Sequence, residues 1–159
     1  MGAGVLPIAF YKGRIFFLFS REYINSKEDG GLWSDFGGSK DNNENYTETA
    51  IRECFEESDS ILGSKKNIEK LINNAIKTIT LNGYRTHIVI INFDINLPKI
   101  FRKKFLKIKK NKPHLINNKN GLYEKDMIKW MTYQEMKNNK NIMFRPWYKK
   151  FINKLLELF

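Results

Sequence analysis

Cysteine is nearly absent from this sequence. Cys54 is the only one, so no intramolecular disulfide can form and a disulfide-stapled scaffold is excluded. A lone thiol fits a reducing compartment, and on the apolar side of a helix it reads as a small packing group rather than a nucleophile. Long apolar runs are missing too; nothing approaches the roughly 18 residues that span a bilayer. The opening stretch MGAGVLPIAF has no basic region ahead of its apolar residues, so it reads as a first strand and not a signal peptide. These absences predict a cytoplasmic protein with no membrane partner. Prolines number only 4, and no stretch rich in Gly, Ser or Pro divides the chain. Acids are the minority charge: 17 against 28 Lys and Arg, a formal net charge of +11. That sign suits a polyanionic partner such as nucleic acid, nucleotide or polyphosphate. AT-rich coding alone would also produce so much Lys, Asn and Ile.

What is present is globular in type, with 42% hydrophobic and 14% aromatic residues among 159. The length predicts one domain, residues 1–159, around one core. GVLPIAFY and RIFFLFSR, split by Lys12-Gly13, read as a hairpin, and Pro7 suggests an edge position or a bulge. LWSDF is a short extended piece ending at a Gly37-Gly38 turn. A helix follows, with Asn45 as N-cap and Glu48 three residues on, running to about Ser58. NIEKLINNAI reads as a second helix. KTITL and THIVIINFDI read as strands joined at Asn82-Gly83, with Asp94 inside the second. PKIFRKKFLKIKK has helical spacing, MIKWMT is a strand, and RPWYKKFINKLLELF is an amphipathic closing helix. Strands interleaved with helices predict an α/β chain, a mixed sheet covered by helices on its faces. The closing helix either completes the core or pairs with a second copy, so a monomer and a homodimer both remain open.

One stretch stands against the overall charge. RECFEES, residues 52–58, crowds three glutamates. At about 100° per residue, Glu56 lies about 60° to one side of Glu53 and Glu57 about 40° to the other. The helix then has an acidic front and an apolar back containing Ala50, Cys54, Ile51 and Phe55. Carboxylates at this spacing repel one another. Such a face is either solvated or neutralised, by lysines or by hard divalent cations that take oxygen ligands.

Upstream residues favour the cation. Gly38 is followed after five residues by Glu44, then after seven more by Arg52-Glu53, Cys54, Phe55 and Glu56-Glu57. This resembles the signature of the Nudix hydrolases, G-x5-E-x7-R-E-U-x-E-E-x-G-U, where U is a bulky aliphatic residue. Every glycine, arginine and glutamate matches except the second glycine, replaced by Asp59; Cys54 and Ser60 stand at the aliphatic positions. Asp tolerates the left-handed conformation such a helix end requires better than most residues. The resemblance implies a Nudix-type α/β/α sandwich and hydrolysis of a pyrophosphate linkage in a nucleoside diphosphate joined to another group, with Mg²⁺ or Mn²⁺ as cofactor. It implies Glu53 and Glu57 as principal metal ligands, Glu56 as ligand or water-activating group, and Arg52 as a brace for the carboxylates. Glu44 would hold the loop or reach a metal through water, and the Gly37 carbonyl would approach the metal. The general base has no fixed spacing in the family; Glu124 is the first candidate here, ahead of Asp126 and Asp94, unless it is a surface charge paired with Lys125.

Substrate is less legible. Accessory patterns of the coenzyme A, ADP-ribose, dinucleoside tetraphosphate and NADH types are not matched. From Lys99 to Lys112 the chain carries eight basic residues and no acid. With Phe101, Phe105 and Ile108 inward, Lys103, Lys107 and Lys110 would face out, tracking an RNA backbone or merely solvated. Trp33, Tyr84, Phe93, Phe144 and Trp147 are candidates to stack on a base, or members of the core. A basic Nudix chain of this kind looks most like the messenger-RNA decapping branch, including decapping enzymes of large DNA viruses, which makes capped RNA the leading partner. Nucleoside triphosphates, a diphosphoinositol polyphosphate, and a non-catalytic RNA-binding role on the same scaffold are the alternatives.

Overall fold

The computed structural model describes residues 1–116 and 119–159. β1 (Gly2–Tyr11) and β2 (Arg14–Glu22) form the expected hairpin. Its turn has φ of 49° at Lys12 and 74° at Gly13, the left-handed pair that a tight two-residue hairpin needs. β3 (Trp33–Ser34), β4 (Phe36–Ser39), β5 (Lys77–Leu81), β6 (Tyr84–Ile90) and β7 (Lys125–Thr132) complete a seven-stranded sheet ordered β3-β2-β1-β6-β5, with β4 on β1 and β7 on β2. The β1–β6 pair is parallel and the others antiparallel, so the sheet is mixed as expected.

β1 is central rather than at an edge. Gly2 N donates to Gly83 O and Ile8 O accepts from Ile91 N, so the even residues of β1 bond toward β6. Pro7 faces the other side, between β4, whose register ends at Val5, and β2, whose register begins at Ile8. A residue without an N–H is tolerated where the strand changes partner.

Side chains alternate across the sheet. Leu6, Ile8, Phe17 and Phe19 pack with Phe151, Ile152 and Leu155 of α5 (Lys149–Leu158). Val5, Ala9 and Leu18 pack on the opposite face with Ala50 and Cys54 of α1 (Tyr46–Glu57), Ile68 and Ile72 of α2 (Lys65–Asn73) and Phe101 of α3 (Leu97–Asn111). The C-terminal helix therefore closes the core. Trp33 and Phe144, expected as stacking residues, belong to it: they are 6% and 1% exposed, and Phe144 meets Phe19 edge-on at 5.0 Å. Neither ring has a free face for a base. Phe93 is spent as well, stacked on Tyr11 at 4.6 Å.

Two further local readings change. Residues 37 and 38 lie in β4, not in a turn, and Asp94 falls after β6 ends at Ile90. A helix that the sequence reading missed, α4 (Tyr133–Asn139), follows β7 directly. Its start was marked by a capping box, Thr132 with Glu135.

Candidate functional site

α1 begins as its sequence dictates: the Asn45 side chain accepts from Glu48 N at 2.8 Å, and Glu48 returns the bond to Asn45 N at 3.1 Å. It ends in two left-handed residues, Asp59 (φ 50°) and Ser60 (φ 63°), so the turn usually made by glycine survives here without one. Its buried arc differs from the expected apolar back. Ala50 and Cys54 are fully buried, but so nearly are Glu53 (9% exposed) and Glu57 (3%), whereas Ile51 and Phe55 are only half-buried. The acidic front is pressed against β4.

Small residues make that possible. A Cβ at Gly38 would lie 2.7 Å from the Glu53 carboxylate, and one at Gly37 would collide with the Tyr84 hydroxyl. These glycines serve close approach of neighbours, not an unusual backbone. Gly37 N donates to Glu57 Oε1 at 2.6 Å, tying the helix to the strand.

Arg52 fixes the rest. Its guanidinium donates to Glu44 twice, at 2.9 and 3.0 Å, to Glu53 Oε1 at 2.8 Å and to Ser39 O at 2.9 Å, and its Nη1 lies 3.6 Å from Glu56. Forked, charge-assisted bonds of this kind set carboxylate rotamers. Glu44 also accepts from Asp41 N and Thr49 Oγ1. Held chiefly by the Arg52 hydrogen bond, its carboxyl drops to about 2. It is a loop brace and lies outside the acidic cluster.

That cluster is Glu53, Glu57 and Glu124, each offering an oxygen within 4.8 Å of the others. Glu124 arrives from the loop before β7. The same loop brings Gly121 (φ 77°) over Glu56, where a Cβ would lie 2.7 Å from its Oε2. Crowding without a cation makes ionisation costly. Burial raises Glu53 to about 7 against the pull of Arg52. Burial drives Glu57 well above the usual carboxylate range against Lys125, and raises Glu56 and Glu124 as well. A hard divalent ion holds its oxygen ligands about 3–4 Å apart, so this all-oxygen set fits Mg²⁺ or Mn²⁺ with small rotamer adjustments.

Three charged partners were not foreseen. Lys125 is not a surface mate of Glu124; its side chain is fully buried, 2.9 Å from Glu22 and 3.8 Å from Glu57. Arg145, at the start of the 3-10 turn Pro146–Tyr148, reaches Glu22 at 2.7 Å and Asp29 at 3.0 Å. Asp126, the second candidate base, instead accepts from Arg21 at 2.7 Å and Ile24 N at 2.9 Å and is structural. Asp94 caps Asn96 N and binds Trp130 through its carbonyl, also apart from the cluster. No local pattern announces Glu22 or Arg145, which lie far from RECFEES in the chain.

The cluster floors a cavity of about 650 Å³ that Glu22, Gly37, Gly38, Lys119 and Arg145 also line. A second cavity of about 360 Å³ shares Gly38, Ser39 and Arg145 and reaches Tyr84 and Trp147. Trp147 is half-exposed, with Tyr84 at 4.7 Å on one side and the Arg145 guanidinium at 5.3 Å. Lys103, Lys107 and Lys110 are exposed on α3 and line neither cavity; Lys107 borders a separate cleft with Asp59 and Tyr123. Phe101 and Phe105 face inward as expected, while Arg102 turns in to Asp126 O at 2.9 Å. Among the described residues no helix is long and apolar enough to cross a membrane.

No protein-family model matches the sequence, and no curated protein does so by sequence comparison. Solved structures do match by shape. A C. elegans Ap4A hydrolase in a binary complex superposes with a TM-score of 0.58 at 14% identity, over 99% of this chain and 97% of that one. RenU, a Nudix hydrolase from M. smegmatis, gives 0.52 at 15% identity, over 99% and 84%. A bifunctional NMN adenylyltransferase/ADP ribose pyrophosphatase from Francisella tularensis, complexed with AMP and a Mn ion, gives 0.51 at 19% identity, over 98% of this chain and 41% of that chain. The chain has the α/β fold of the Nudix hydrolases.

Proposed function

We propose that this chain is a divalent-metal-dependent pyrophosphohydrolase of the Nudix family, acting on a nucleoside diphosphate joined to a second group. One observation carries the reading: Glu53 and Glu57 of α1, with Glu53 held by Arg52, converge within 4.8 Å with Glu124 from the loop before β7. Glu53 and Glu57 would hold Mg²⁺ or Mn²⁺; Glu56, expected beside them, lies outside the cluster, 3.6 Å from Arg52. The bound ion would polarise phosphate oxygens and offset the charge of the leaving group. Glu124 is exposed on its loop, its carboxyl partly desolvated where it meets the cluster and its pKa raised by that desolvation; it accepts the proton of the attacking water. Arg145 lies between the two cavities and screens the diphosphate, and the base enters the second cavity, which Tyr84 and Trp147 border.

For the second group we propose the RNA chain of a 5′ cap. α3 lies beyond the Gly121–Glu124 loop, and Lys104 Nζ reaches Asp59 O at the end of α1 at 3.1 Å. A polyanion leaving the cavity there meets exposed lysines. Free nucleoside triphosphates are the second reading, favoured by the base-sized cavity beside the acidic one.

Cap-labelled RNA, a nucleoside triphosphate panel and a diphosphoinositol phosphate, each with Mg²⁺ or Mn²⁺, separate these. Release of m7GDP from RNA supports decapping. Turnover of free nucleotides alone overturns the RNA assignment and keeps the enzyme. RNA binding with no turnover of anything makes the chain a binding protein. Glu57→Gln keeps an oxygen for Gly37 N and loses the charge, so it should cut turnover at least about 100-fold, beyond what loss of an outer-shell partner costs. The far-ultraviolet spectrum should stay unchanged.

A further inference from the structure

The buried lysine beside the carboxylates does more than balance charge. β2 and β7 pair regularly from Phe16 to Arg21, then the register shifts so that Glu22 stands opposite Lys125. The bulge turns Lys125 toward Glu22 and Glu57, while its neighbour Asp126 points the other way, to Arg21. The Lys125 ammonium is fully enclosed. It donates to Glu22 Oε1 and to Ser34 Oγ, at 2.9 and 3.2 Å, and lies 3.8 Å from Glu57 Oε2. Burial opposes its charge, but Glu57 and Glu22 outweigh burial and hold its pKa above the usual value. An ammonium held between two carboxylates stands where a cation with oxygen ligands would otherwise stand.

We propose that Lys125 is a built-in cation that occupies the position between Glu22 and Glu57, excluding a divalent ion from it and confining metal to the Glu53–Glu57–Glu124 side. This rests on the metal-dependent reading above. Glu57 is the shared member: it belongs to the cluster, its Oε1 accepts from Gly37 N, and its Oε2 lies 3.8 Å from Lys125. Arg145 also reaches Glu22, from the cavity side and on the same Oε1 as Lys125. A neutral side chain at 125 would leave Glu57 Oε2 and the second oxygen of Glu22 beside one vacated position, with Glu22 Oε1 still bonded to Arg145.

Mn²⁺ binding tests this without substrate. Free Mn²⁺ is counted by electron paramagnetic resonance during titration of the wild-type chain, Lys125→Met, and Lys125→Met with Glu22→Gln. Lys125→Met should bind one more ion per chain than wild type, and the double variant should return to the wild-type number. Equal stoichiometry in wild type and Lys125→Met overturns the proposal. No Mn²⁺ bound by wild type overturns the metal-dependent reading itself, a separate result. Should Lys125→Met not fold alone, circular dichroism with added Mn²⁺ reads the same question. Refolding at millimolar Mn²⁺ supports replacement of the ammonium by the ion, and no refolding overturns it.

Discussion

Asp35 offers a test of the sheet behind the site. It is fully buried between β3 and β4, accepting from Tyr84 OH at 2.9 Å and Thr86 Oγ1 at 2.8 Å. Gly4 makes room: a Cβ there would lie 2.5 Å from Asp35 Oδ2. Burial raises the carboxyl from 3.8 to about 6, although two hydroxyl donors, Lys125 and Arg145 pull the other way. The folded state therefore holds the proton more tightly than the unfolded chain. Below the unfolded pKa both states are protonated and nothing is lost. As pH rises from there through the folded pKa, stability falls, and above it the full cost stands. About two pKa units correspond to about 3 kcal/mol, of which about 1.4 kcal/mol falls between pH 5 and 8. Asp35→Asn cannot titrate and keeps one acceptor. Urea unfolding of both chains, in EDTA from pH 5 to 8, isolates the group because every other carboxylate is common to them. The stability of wild type relative to Asp35→Asn should fall by about 1.4 kcal/mol across that range, about 0.7 M in midpoint at a typical slope. A difference that stays flat with pH, or rises, would refute a neutral-preferring Asp35.

Other outcomes follow from single contacts. Arg52→Lys keeps a charge but loses the fork to Glu44, Glu53 and Ser39, and should lose at least about tenfold in turnover and about 1–3 kcal/mol in urea stability; near-wild-type turnover would remove Arg52 as the brace. Ser60→Gly relieves a left-handed φ of 63° and should stabilise by about 1 kcal/mol, raising Tm by about 2–4 °C in calorimetry. Joint replacement of the exposed Lys103, Lys107 and Lys110 by Ala should lower the slope of log affinity for single-stranded RNA against log salt by about 2. An unchanged slope would make that helix face merely solvated.

The features legible beforehand were those written in short range. Asn45 and Glu48 announce a helix start because cap and partner lie within one turn. The spacing from Gly38 to Glu57 announces the acidic helix because its period is fixed by the helix itself. Lys12-Gly13 announces a hairpin because few dipeptides tolerate two left-handed residues. What escaped depends on register and on distance along the chain. Glu22 reaches Lys125 only through a bulge, and Arg145 reaches Glu22 from the far end of the sequence. Trp33 and Phe144 show the limit of composition: an aromatic ring suits a base or a core equally well, and only the sheet's second layer decides. Pro7 misled because a proline can sit at a change of strand partner inside a sheet as well as at its edge.

The burial of Glu53 and Glu57 bears on what they do in a chain of net charge +11. Carboxylates that serve solubility stay on the surface, where water screens them. Glu53 and Glu57 are instead pressed onto β4, where desolvation works against their charge. The fold surrounds them with fixed cations, Arg52 at one end and Lys125 at the other, and still leaves oxygens of Glu53, Glu57 and Glu124 facing one another. Arginine and lysine alone could have neutralised the whole group, as they do for Glu44 and Glu22. The carboxylates left facing one another are those that line the larger cavity. The excess lysines act differently: screened beyond about 8 Å at physiological salt, those exposed on α3 do not neutralise the cavity floor. A floor of carboxylates that the fixed cations leave unneutralised is what the proposed metal-dependent reading requires.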